Sequence, residues 1–116
     1  MTKLLTRDCV RLVREAGYAV DTVEHLRACR WLLTVTSTSG GAKILILIKE
    51  GVLVTTSDVQ DLASFVQLRN VQYGILLACN GSFSSTAHHT CTDLNDQLFL
   101  CNALPHADQF VQNYKV

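Results

Sequence analysis

A chain of 116 residues, 48% hydrophobic and 17% charged, has the composition of one packed domain and not that of a disordered chain. Ten Lys and Arg balance ten Asp and Glu, for a formal charge of zero. The overall basic excess with which a dedicated nucleic-acid binder holds phosphates is therefore missing, and such a surface would have to be local.

The first predicted element is a helix. Leu5, Cys9, Leu12, Val13 and Ala16 recur at i, i+4, i+7, i+8 and i+11, one apolar stripe, with Arg7, Arg11, Arg14 and Glu15 elsewhere on the surface. Gly17 follows at the natural stop, where a left-handed residue is needed. Residues 18–26 read as extended, with a possible helical turn at His25-Leu26-Arg27-Ala28. Residues 31–36 are rich in β-branched and aromatic side chains and lead into Ser39-Gly40-Gly41, a tight-turn signal. Beyond the turn, Ile44-Leu45-Ile46-Leu47-Ile48 is an unbroken aliphatic run, as expected of a central strand covered on both faces. The two strands form a hairpin.

Ser57 with Gln60 fits a capping box, and Val59, Leu62, Ala63 and Val66 give the apolar face of a helix ending near Asn70. Tyr73 to Cys79 is a second buried strand. Asn80-Gly81-Ser82 breaks it, and Ser84 can cap a short helix running through Cys91. Leu98 to Cys101 is a last short strand. Pro105 suits the first turn of a terminal helix with Ala107, Phe110, Val111 and Tyr114 on its apolar face. The order α-β-β-β-α-β, then short α, β and α, predicts a single α/β domain over residues 1–116, a mixed sheet flanked by helices.

Charges interrupt the apolar residues of MTKLLTRDCVRLVRE, unlike a signal peptide, and no apolar run is long enough to span a bilayer. No membrane partner is expected. The five cysteines (Cys9, Cys29, Cys79, Cys91, Cys101) are odd in number and contain no CxxC pair. They read as buried free thiols, which implies a reducing, cytoplasmic setting.

The segments LVREAGYAV, a hairpin ending in ILILIK, SDVQDLASF and YGILLACNGSFSSTA together resemble the Mrr-like branch of the restriction-endonuclease-like superfamily. The resemblance covers roughly residues 4 to 101, nearly the whole chain, and rests on motif order more than on any one motif. It implies a divalent metal held by an Asp on the second strand and a Glu, Asp or Gln on the third, with a Lys two residues later assisting the attacking water. Carried onto this chain, the Lys is Lys49. The third-strand ligand position falls on Leu47 and the second-strand position on Trp31 or Leu32, none of which offers an oxygen. Glu50 would point to the face opposite Lys49, and the remaining nearby acids, Asp8 and Glu15, belong to the first helix. The resemblance thus implies a catalytically degenerate member with no metal and no cofactor, in which Lys49 is vestigial.

Each remaining candidate has a plain alternative. Lys49 is a surviving phosphate-contacting lysine or a strand-end lysine whose stem covers apolar surface. Lys3, Arg7, Arg11 and Arg14 form a stripe that can touch a DNA backbone or simply face solvent. Ser82, Ser84 and Ser85 lie where a turn meets a helix N-terminus, an anion-receiving place or an ordinary serine-capped turn. His88 and Cys91, at i and i+3, share a helix face but lack a recognised zinc spacing, and no signature supports Cys91 as a nucleophile.

The function expected is a non-catalytic restriction-endonuclease-like module, binding DNA or accessory to a nucleic-acid-processing complex. Two alternatives stand beside it: a protein–protein adaptor or homodimeric scaffold, and a metal-dependent nuclease rearranged around Lys49 with Asp8, Glu15 and Glu50. A fold alone does not choose among them.

Overall fold

The computed structural model describes residues 5–26, 30–37, 41, 43–50, 53–79, 82–85, 98–104 and 106. Lys3, Ser39, Gly40, Asn80, Gly81, His88, Cys91, Pro105 and residues 107–116 of the predicted terminal helix lie outside these residues, as does all but the first residue of the predicted helix before Cys91.

Helix α1 (Thr6–Glu15) buries Cys9 and Val13 from its apolar stripe, and the Asp8 carboxylate accepts the Leu5 N–H at 2.9 Å to satisfy its first turn. Gly17 ends it as predicted, with φ of 93°. The chain then forms strands β1 (Tyr18–His25), β2 (Arg30–Ser37) and β3 (Lys43–Glu50) as an antiparallel meander. β1 is a strand through His25, and Arg27 and Ala28 of the helical turn considered there lie outside the described residues. Its pairing with β2 is irregular between Val20 and Thr22, a bulge at the sheet edge that discourages further pairing.

After the two-residue strand β4 (Leu53–Val54), helix α2 (Thr56–Arg69) returns the chain to β5 (Tyr73–Cys79), which is parallel to β3; β7 (Leu98–Cys101) is parallel to β5 in turn. The sheet order is β1-β2-β3-β5-β7. β4 pairs in parallel with β6 (Ser82–Phe83) as a separate small sheet. Ser82 therefore lies in a strand and not in a turn, because its backbone finds Leu53 as a partner. Both pieces have two residues, too short for any periodic signal.

The aliphatic run of β3 is explained by two cores. Ile44, Ile46 and Ile48 pack on the α1 side with Cys9, Val13, Trp31, Leu33, Ile75 and Leu77. Leu45 and Leu47 pack on the α2 side with Leu32, Val59, Leu62, Val66 and Leu76. All five residues of the run are fully buried, each contributing about 1.5–3 kcal/mol by removal from water.

Helix α2 starts two residues earlier than the predicted cap requires. Ser57 and Gln60 are exposed, and the capping residues are Thr55 and Asp58: the Asp58 carboxylate accepts the Thr55 N–H at 2.9 Å and the Thr55 hydroxyl at 3.3 Å. Asn70 closes the helix in the left-handed conformation, φ 53° and ψ 45°. No helix among the described residues is long and apolar enough to cross a membrane.

Candidate functional site around Lys49

Lys49 is the seventh residue of β3 and lies opposite Arg30 of β2. Strand alternation puts it on the α2 face with Leu45 and Leu47. Its ammonium donates to Asp58 Oδ2 at 2.6 Å and to the Leu53 carbonyl at 3.2 Å. Arg30 reaches the same acid from β2, donating to Asp58 Oδ1 at 3.4 Å and to Asp61 Oδ2 at 3.1 Å. Two cations from adjacent strands thus meet two carboxylates one turn apart on α2, and the cluster is neutral.

The side chain of Asp58 is 5% exposed. Burial by itself would raise its pKa, but the hydrogen bonds from Lys49 and from the Thr55 N–H, with the charges of Lys49 and Arg30, outweigh burial and hold it below the usual carboxylate value. Asp58 stays ionised, and Lys49 supplies its main counter-charge.

This arrangement does not fit a catalytic divalent cation, which wants several oxygen ligands. Leu47, at the third-strand ligand position, and Leu32, its cross-strand partner, are both fully buried. Trp31, the other second-strand candidate, packs on the α1 side, where its indole N–H donates to Thr6 Oγ1 at 3.2 Å. The oxygens of Asp58 are taken by donors from Lys49, Arg30 and Thr55, and Asp61 is held by Arg30. Among the described residues no group of three or more His, Cys, Asp or Glu could hold a metal ion.

The acids expected to be nearest Lys49 are not its partners. Asp8 and Glu15 sit on α1, across the sheet, with Asp8 engaged by Leu5 and by Arg11 at 3.1 Å. Glu50 follows Lys49 on the strand and so projects to the other face. The rearranged cluster of Asp8, Glu15 and Glu50 around Lys49 does not form, since the sheet separates α1 from the face that Lys49 occupies. Asp58, Asp61 and Arg30 were missed by the sequence reading. The signal for one of them was present, because Thr55-x-x-Asp58 is itself a capping pattern before an apolar run.

The other candidates are dispersed. Arg7, Arg11 and Arg14 are exposed on α1, on the side of the sheet away from Lys49, so the basic residues do not form one surface. The Ser84 N–H donates to the Val54 carbonyl at 2.9 Å, which removes it from any set of donors aimed at an anion, and Ser85 is exposed. Cys9 is buried and Cys101 partly so, both as thiols outside any disulfide. Burial pushes the Cys101 thiol up to about 11.

No known family's sequence profile matches the chain, and no curated protein matches it. Among solved structures, it is similar to EndoMS, a nuclease, in its apo form, with a TM-score of 0.63 at 18% identity. The match covers 90% of this chain and 49% of that one, so the chain spans about half the length of that structure. At this identity the likeness is one of fold: a small α/β domain with a mixed five-stranded sheet flanked by helices, structurally similar to a nuclease.

Proposed function

We propose that this domain is a non-catalytic member of the restriction-endonuclease-like fold, of the Mrr-like kind, that works in association with nucleic acid. The observation that carries this reading is the pairing of Lys49 with Asp58 at 2.6 Å beside fully buried Leu47 and Leu32. A lysine that assists a metal-bound water needs oxygen ligands next to it; here its neighbours are aliphatic, and its charge is committed to a structural acid at a helix start. The nuclease-like fold supports a nucleic-acid setting, since EndoMS is itself a nuclease.

The test is a titration of a labelled DNA duplex at low and moderate salt, with and without manganese, followed by a product gel. Salt-sensitive binding without cleavage is the expected result. Metal-dependent cutting, abolished by Lys49→Met, would overturn the non-catalytic reading. Neither binding nor cutting would make the domain a protein–protein adaptor or homodimeric scaffold instead.

A further inference from the structure

We infer that the outward face of α1, carrying Arg7, Arg11 and Arg14, is the surface on which a nucleic-acid backbone docks, on the side of the sheet away from Lys49. This rests on the nucleic-acid reading above and adds where and how the contact is made.

Ion pairing singles the helix out. Of the described basic residues, Arg30 and Lys49 are paired with Asp58 and Asp61, Lys43 with Asp21, Arg69 with Glu24 and Arg11 with Asp8. Arg7 and Arg14 alone have no acidic partner among the described residues, and both are on α1. The pair made by Arg11 is weak as well, because its side chain is 71% exposed, and exposed i,i+3 pairs exchange readily for other anions. Among the described residues, the basic side chains without an acidic partner are therefore concentrated on one helix.

Helical geometry then aims it. At about 100° per residue, Arg7, Arg11 and Arg14 fall within a sector of about 60°. That sector lies opposite the stripe through Cys9, Leu12, Val13 and Ala16 that α1 presents to the sheet. Asp8 and Glu15 fall together on one flank. The three guanidinium groups thus point away from the core along about 10 Å of helix, at about 1.5 Å per residue. Guanidinium groups grip phosphate oxygens bidentately, and a duplex presents a phosphate about every 3.4 Å along each strand. Such contacts position a backbone and carry no base information, so the binding is independent of sequence.

The test uses fluorescence anisotropy with a labelled mixed-sequence duplex over a salt series. Arg7→Ala with Arg14→Ala is compared with Lys43→Ala with Arg69→Ala, which removes the same charge from exposed cations elsewhere. The α1 variant should bind at least about tenfold more weakly and reduce the slope of log affinity against log salt by about 2, while its thermal unfolding midpoint stays unchanged. Arg7→Lys with Arg14→Lys should restore the slope. The control should stay within about twofold of wild type. Equal losses in the two double variants, or a loss seen only on changing Lys49 and Arg30, would overturn the docking face while leaving a nucleic-acid role standing. A wild-type chain that binds no duplex at all would sink that role and this inference together.

Discussion

Lys49 and Asp58 lie nine residues apart and meet at 2.6 Å, joining the end of the most buried strand to the first turn of α2. Asp58 does two things there: it accepts the Thr55 N–H that the helix cannot use, and it receives the ammonium. Removing the acid loses both roles and leaves Lys49, only 16% exposed, next to Arg30 without its main counter-charge. Asp58→Ala should therefore destabilise the domain by about 2–4 kcal/mol, combining loss of a cap with a broken, largely buried pair. Lys49→Met should cost less, because methionine keeps the apolar stem while Thr55 and Arg30 still satisfy Asp58. Urea unfolding of both variants and the double variant decides it. An Asp58→Ala loss below about 0.5 kcal/mol, the range of ordinary surface changes, would mean that the pair does not hold α2 in place.

Acid should act through the same residue. The pKa of Asp58 is lowered from an ordinary value of 3.8, and those of Asp21 and Glu24 are lowered too, by the hydrogen bond from Lys43 and by the ion pair with Arg69. A carboxyl whose folded pKa lies below its unfolded pKa contributes stability fully above the unfolded value and loses it as pH falls through the folded one. Stability should be level at mildly acidic pH and decline below about 4. Asp58→Asn should start lower and decline less steeply in that range. Denaturant midpoints at half-unit pH steps give the comparison, and an undiminished slope in Asp58→Asn would remove Asp58 from the cause.

The backbone plan was legible because its signals are local and periodic. Cys9 and Val13 recur at helical spacing, Ile44 to Ile48 read as a strand buried on both faces, and Asn70 stands where α2 stops. The site was less legible, because its chemistry is made by distance in the chain. Arg30 reaches Asp58 and Asp61 across separations of 28 and 31 residues, and no pattern in either segment announces the other. The absence of ligand oxygens at Leu47 and Leu32 could be read directly; which acid takes the lysine could not. Ser57 drew the cap assignment away from Thr55, since both offer a hydroxyl near the same helix start.

The thiol chemistry should be quiet where the structure describes it. With its pKa near 11 from burial, Cys101 holds only roughly one thiolate in ten thousand at neutral pH. Iodoacetamide labelling followed by peptide mass mapping should leave Cys101, and fully buried Cys9, unmodified in the native protein and modify both in urea. Rapid native labelling of Cys101 would show that the β7 end opens on the timescale of the reaction.

Gly74 sets how closely α2 lies on the sheet. It sits in β5 between Leu45 of β3 and Leu98 of β7, and a Cβ at this position would fall 2.7 Å from Val66 Cγ2, 2.9 Å from Leu98 Cδ2 and 3.2 Å from Leu62 Cγ. Those atoms belong to side chains packed in the α2-side core, so they can yield only by moving the helix or leaving their rotamers. Gly74→Ala should cost about 1–3 kcal/mol by overpacking, despite alanine's better strand geometry. Val66→Ala removes the nearest methyl and opens a small void of its own. The two changes are complementary in volume, so the double variant should be more stable than the sum of the single losses predicts, with a coupling of about 1 kcal/mol or more. Strictly additive losses would mean that the strain of Gly74→Ala is relieved elsewhere, and that contact with α2 is not why glycine is needed here.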